Sequence, residues 1–181
     1  MIKGKQVGLR AIEKHDLALL RDWRNINSFR KNFREVRELS LSDQEKWFES
    51  LQRTTHMNFM FTIVRLKDNK PIGAAGLLYI NWINRSADFS FYIGEEEEYI
   101  DNEGFALDAS KVLIDYGFKN LNLNKIWMEL YEFDSKKLIF FKENFDFQID
   151  GVLRQNCFED GKYWDSNIIS LLREDFEKNC N

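Results

Sequence analysis

The stretch from Arg85 to Phe118 limits the choice of fold more than any other part of this chain. Ala87 to Ile93 is rich in aromatic and β-branched residues, sets Phe89, Phe91 and Ile93 at period two, and predicts a strand closed by Gly94. Phe105, Ala109, Val112, Leu113 and Tyr116 then recur at helical spacing. Between strand and helix lie the acidic run Glu95 to Glu98 and the turn Asn102-Glu103-Gly104-Phe105-Ala106, with almost no side chain at Gly104 and Ala106. The first turn of a helix has unpaired N–H donors and the positive end of the macrodipole, so a small turn here suits phosphate or pyrophosphate. The same pattern also fits a strand, loop and helix packed only for stability, and the glycine does not choose between the two.

Around this unit the chain alternates strands and helices. Val7 to Ile12 predicts a strand and Asp16 to Trp23 a helix, after which Phe29 to Arg37 places aromatics among Arg30, Lys31, Arg34 and Arg37. That basic segment either faces a phosphate-bearing substrate or is a solvated face whose arginines pair with Glu35 and Glu38. Ser42-Asp43-Gln44-Glu45 predicts a capping box opening a helix from Asp43 to about Arg53. Phe59 to Leu66 and Pro71 to Trp82 predict a hairpin about Lys67-Asp68-Asn69-Lys70, with Gly73 and Gly76 marking a bulge or a close approach to the backbone. Lys125 to Tyr131 predicts a strand, Asp134-Ser135 an N-cap for a helix from Lys136 to Asn144, and Glu159-Asp160-Gly161 a hairpin joining Gln148–Cys157 to Lys162–Leu172. At 181 residues, with a single proline and no Ser/Gly-rich tract, residues 1–181 are expected to form one domain.

Composition excludes several function classes. A net charge of -4 gives no basic footprint for nucleic acid, so none is expected as partner. Cys157 and Cys180 are far apart, and His15 and His56 have no second ligand nearby, so neither a metal site nor a disulfide framework is expected. No leader pattern and no apolar run of roughly 20 residues stands in the sequence, which predicts a cytoplasmic protein without membrane contact.

The ordered set Leu9-Arg10-Ala11 with Asp16, Trp23-Arg24-Asn25, Pro71-Ile72-Gly73, Asn84-Arg85-Ser86-Ala87-Asp88, Gly104-Phe105-Ala106, Tyr116-Gly117-Phe118, and Gly151 with Gly161 to Asp165 resembles the Gcn5-related N-acetyltransferases. Within them it is similar to the branch of ribosomal-protein N-terminal, spermidine and flagellin-sugar acetyltransferases. The resemblance implies an α+β fold: a splayed, mostly antiparallel sheet with helices on both faces, split between the strand at Arg85–Gly94 and that at Lys125–Tyr131. Acetyl-CoA is then expected in the split as co-substrate, lined by Phe91, Tyr92, Ile93, Asp134, Lys137 and Phe141. Its pyrophosphate is expected on the turn Asp101, Asn102, Glu103, Gly104, Phe105 and Ala106, although Asp101 stands where the family usually has Arg or Gln.

Amine acetylation needs a neutral amine, a polarised thioester carbonyl and a proton for the departing thiolate. Asp88 stands where relatives commonly carry Glu and is expected to accept the amine proton, a bridging water making up for the missing methylene. The helix tyrosine that usually protonates the thiolate falls on Phe141 or Lys142 here, which leaves Tyr131, Lys142 or water as donor, with Tyr131 taken as the candidate acid. Trp23, Arg24, Arg30, Arg34 and Trp82 are expected to bind a small-molecule amine acceptor, read as a nucleotide-linked amino sugar. A polyamine, a protein N-terminus and a non-catalytic acyl-CoA-binding role stay open, and a homodimer is compatible with all of them.

Overall fold

A computed structural model of the chain describes residues 1–178, so Cys180 lies outside the described residues. Its elements are β1 (Ile2–Lys3), β2 (Val7–Ala11), α1 (Leu17–Asn25), α2 (Asn27–Arg30), α3 (Leu41–Arg53), β3 (Phe59–Arg65), β4 (Lys70–Asn81), β5 (Ser86–Ile93), α4 (Phe105–Asp115), β6 (Lys125–Tyr131), α5 (Ser135–Phe145), β7 (Gln148–Glu159), β8 (Lys162–Leu172) and α6 (Arg173–Lys178). The strands join one sheet in the order β1-β2-β3-β4-β5-β6-β8-β7. Every neighbouring pair is antiparallel except β5 and β6, whose parallel pairing needs the crossover through α4.

Side-chain alternation decides which helix covers which face. On β5, Phe89, Phe91 and Ile93 are buried on one face, where Phe141 of α5 packs edge-on to Phe89 and Phe91 at 5.2 and 6.4 Å between ring centroids. Asp88, Ser90 and Tyr92 point the other way, and Trp23, Phe29 and Phe33 close around Tyr92. Helices therefore lie on both faces of an α+β fold. α4 is held in place by Asp108, whose carboxylate accepts from the N–H groups of Lys5, Gln6 and Val7 at 3.0, 2.6 and 2.9 Å. This fixes the N-terminal turn of α4 beside the start of β2.

One local expectation is corrected. The capping box of α3 is Ser40 with Asp43, not Ser42 with Glu45: Ser40 Oγ accepts from Asp43 N at 3.1 Å and the Asp43 carboxylate accepts from Ser40 N at 3.0 Å. The sequence holds two overlapping boxes, and the helix starts at Leu41, behind the earlier one. The Asp160-Gly161 turn has φ of 51° and 78°, the positive pair that a two-residue hairpin of this kind requires. At Gly73 a Cβ would come within 2.3 Å of Tyr92 O, opposite the register break at Ile63/Val64. β7 forms one edge of the sheet and breaks register twice, between Ile149 and Gly151 and between Leu153 and Cys157.

Candidate active site

β5 and β6 pair only along Ser86 to Asp88 against Lys125 to Trp127, and beyond Asp88 the sheet is split. Gly94 N donates to Ile72 O on the β4 side, so the alternate residues Ile93 and Phe91 turn their backbone groups into the split. Such groups need partners, and the protein supplies them itself. Ile93 N donates to Tyr99 O at 3.0 Å, and Phe91 O accepts from the Lys137 ammonium at 3.1 Å. Lys137 also reaches the Tyr99 hydroxyl at 3.3 Å, and that hydroxyl donates to Asp134 at 2.9 Å. Burial pushes the Lys137 ammonium down from its ordinary range, while Asp134 and Asp88 act in the opposite sense.

At the head of the split stands Asp88, with 5% of its surface exposed. The Arg34 guanidinium donates to one of its oxygens at 2.5 Å and to Glu129 at 3.3 Å. Glu129 accepts in turn from Ser166 Oγ at 2.8 Å and from the Asn156 amide at 2.6 Å. Burial drives the Asp88 carboxyl above the usual range, and Arg34 offsets this only in part. A buried carboxylate raised in this way is a better proton acceptor than an exposed one near neutral pH. Tyr131 lies further along the same face of β6 as Glu129, half-buried, 5.4 Å from the Phe133 ring. Burial, with Glu129 and Cys157 nearby, raises its phenol, so it keeps its proton.

The N-terminal turn of α4 has the left-handed Gly104 at φ 93°, and a Cβ there would meet only Gln6 Nε2, at 3.2 Å. The donors of this turn are not all open, however. Asp101 caps the helix, its carboxylate accepting from Phe105 N at 2.9 Å and from Ala106 N at 2.6 Å. Two of the N–H groups expected to meet a pyrophosphate therefore already hold an anion from within the chain. Beside this turn is a cavity of about 650 Å³ whose wall sets Lys5, Arg65 and Lys67 beside Asp68 and Glu103, with Arg65 itself paired to Asp68 and Glu95.

Several residues expected at the site are placed elsewhere. Phe141 has no exposed surface and lies among Phe89, Phe91, Phe140, Phe145 and Phe147, so it presents nothing to the split. Trp23 is a core residue packed on Gly94, where a Cβ would sit 2.1 Å from its ring. Trp82 is partly exposed, but its indole N–H is held by His56 O at 2.6 Å. The basic cluster is largely spent internally: Arg30 donates to Asn27, Arg34 binds Asp88 and Glu129, and Arg37 binds Glu35. Lys142 is exposed on α5. Sequence reasoning missed Glu129, Ser166, Asn156 and Tyr99. Glu129 had a signal in the alternation of Lys125 to Tyr131, which sets it opposite the buried Met128 and Leu130.

A sheet split beside a buried carboxylate, with a helix N-terminus at its open end, is the arrangement that the resemblance to the N-acetyltransferases implies. The family model of the acetyltransferase (GNAT) domain matches residues 6–137, and the chain belongs to that family: it is an acetyl-CoA-dependent N-acetyltransferase. It is 27% identical over 172 residues to a spermidine N(1)-acetyltransferase of Vibrio cholerae, covering 94% of this chain and 95% of that one. It is 26% identical over 177 residues to the spermidine N(1)-acetyltransferase of Escherichia coli (strain K12), covering 97% and 91%. The crystal structure of the spermidine N-acetyltransferase from Vibrio cholerae in complex with CoA and spermine matches with a TM-score of 0.85 at 26% identity, over 95% of this chain and 98% of that one.

Proposed function

We propose that this protein transfers acetyl from acetyl-CoA to a primary amine of a polyamine, with Asp88 taking up the amine proton. The observation that carries the reading is the Asp88 carboxylate, buried at the head of the split and raised by that burial. An amine arriving as ammonium gives its proton to Asp88 directly or through one water. The neutral nitrogen then forms the C–N bond as the C–S bond breaks, and the second proton that the nitrogen sheds passes through Tyr131 or solvent to the departing thiolate. Arg34 keeps Asp88 oriented, and Glu129, Asn156 and Ser166 keep Arg34 in place. In the split, the backbone of Phe91 and Ile93 with Lys137 and Tyr99 would meet the pantetheine arm. The α4 turn would meet the pyrophosphate, with Asp101 moving aside and the nearby Lys5 and Lys67 supplying positive charge.

The polyamine class is supported by the two relatives named for acting on spermidine and by the solved relative holding spermine. The amino-sugar reading loses its support, since Arg30, Arg34 and Arg37 are engaged within the protein. The test follows free thiol during incubation with acetyl-CoA and either spermidine or a nucleotide-linked amino sugar. Faster turnover of spermidine, lost in Asp88→Asn, is expected; faster turnover of the sugar, or unchanged turnover in Asp88→Asn, overturns the reading. Self-association as a homodimer is part of the proposal. The exposed Ile149, Val152, Phe158 and Tyr163 of β7 and β8 support it, and a monomer mass by light scattering would remove it.

A further inference from the structure

On the Asp88 face of β5 a cavity of about 340 Å³ lies between α1, α3 and the sheet. We propose that it is an oxyanion site, built to take a carboxylate or phosphate group on Arg24. The argument begins with the charges on its wall: the cations Arg24, Arg37 and Lys46 and the carboxylates Glu35 and Asp43. Both carboxylates are already committed. Glu35 accepts from Arg37 Nε at 3.0 Å and Nη2 at 2.8 Å, which also commits Arg37. Asp43 accepts from Ser40 N at 3.0 Å and Ser40 Oγ at 2.6 Å in the α3 cap. Arg24 and Lys46 are left facing the cavity.

Arg24 is the unusual one. Its Nε is buried without a hydrogen-bond partner among the described residues, and its guanidinium lies 4.0 Å from the centroid of the Phe33 ring. Glu35 acts on it only at a distance, together with the Tyr92 and Tyr99 phenols. A buried guanidinium N–H in this state has lost its water and gained no acceptor, which is costly unless a ligand provides one. Its planar fork suits a bidentate oxyanion, and its seat on an aromatic face fixes the plane of that fork. Ser90 and Tyr92 add hydroxyls to the same wall, and burial raises the Tyr92 phenol so that it stays a donor. A cationic ligand would meet the Asp43 carboxylate already facing Lys46, and repulsion from Arg24.

The ligand chemistry has two sources. Ser90 follows Asp88 at two residues along one strand, about 7 Å, so one small acceptor could place its amine at Asp88 and its anionic end at Arg24. Alternatively a free anion fills the cavity as an effector, and the acceptor stays a polyamine. The first source rests on the acetyl-transfer reading; the site itself does not.

Two arms separate these outcomes. In the first, inorganic phosphate is titrated against the tryptophan fluorescence of the protein, with Trp47→Phe identifying the signal of the cavity's own indole. A saturable response is expected in the wild type, at least tenfold weaker in Arg24→Gln and partly restored in Arg24→Lys, with circular dichroism showing all variants folded. In the second, acetylation of O-phosphoethanolamine is compared with that of ethanolamine. A preference of tenfold or more for the phosphorylated amine, lost in Arg24→Gln, assigns the anion to the acceptor. Phosphate binding without that preference assigns it to a free effector. If no amine releases thiol, the acetyl-transfer reading fails while the phosphate arm still decides the site. No saturable phosphate response in the wild type, or an equal one in Arg24→Gln, overturns the proposal.

Discussion

Asp101 makes stability and co-substrate affinity pull in opposite directions. Its carboxylate accepts from two backbone N–H groups at the start of α4, at 2.9 and 2.6 Å. Removing a capping acceptor of this kind costs about 0.5–2 kcal/mol, and losing a negative charge from the positive end of the macrodipole costs about 0.3–1 kcal/mol more. Asp101→Ala should therefore lower the unfolding free energy by about 1–3 kcal/mol in urea titrations without ligand. If the pyrophosphate of CoA uses these N–H groups, the wild type has to spend that same free energy to release the carboxylate. The variant should then bind CoA roughly 5- to 150-fold tighter by calorimetry, at about 1.4 kcal/mol per factor of ten. Asp101→Gln, which removes the charge and keeps a side-chain acceptor, should lose less stability and gain correspondingly less CoA affinity. CoA affinity that is unchanged or lower in both folded variants would refute the reasoning, because the carboxylate would then not stand where the phosphates go.

Three further outcomes are expected. Asp88→Asn should reduce kcat by about 10²–10⁴-fold in steady-state assays with little change in CoA affinity by calorimetry, the size expected for loss of a general base. The Asp88 carboxyl is raised by burial and lowered by Arg34, and activity needs its deprotonated form, so kcat/KM should fall as pH drops through a limb above the usual carboxylate range. Arg34→Ala, which removes the lowering influence, should move that limb to higher pH, and a limb that stays put would separate Asp88 from the titration. At Gly94 an added Cβ would lie 2.1 Å from the Trp23 ring, so Gly94→Ala should cost about 1–3 kcal/mol in urea unfolding by overpacking, while a neutral effect would mean that Trp23 has room to move.

Local pattern made the strand, turn and helix around Gly104 legible, as it did the hairpin at Asp160-Gly161, because side-chain period and turn chemistry are set within a few residues. The two competing caps before α3 show where that reasoning stops. Ser40 and Ser42 each precede an acidic residue by three positions, and the local pattern does not tell which of them caps the helix. The arginine cluster marks a second limit. Arg34 lies 54 residues from Asp88 and 95 from Glu129, so its partners depend on how the sheet brings the chain together. Of the local pairings that the sequence offered, Arg37 meets Glu35 and Arg30 comes within 4.0 Å of Glu38, while the carboxylates that take Arg34 lie far along the chain. The carboxylate of Asp101 is a third case: its identity announced a departure from the resemblance, but its grip on Phe105 and Ala106 required the turn geometry.

The two register breaks in β7 bear on how this protein avoids aggregation. An edge strand of 12 residues carrying exposed Ile149, Val152, Leu153 and Phe158 has the length and stickiness to recruit a neighbouring chain by strand addition. Each break interrupts the row of outward-facing backbone groups and adds local twist, so no straight template of that length is presented. Association through this edge is thereby steered toward side-chain contact, which can be specific and finite, and away from the open-ended ladder of a fibril.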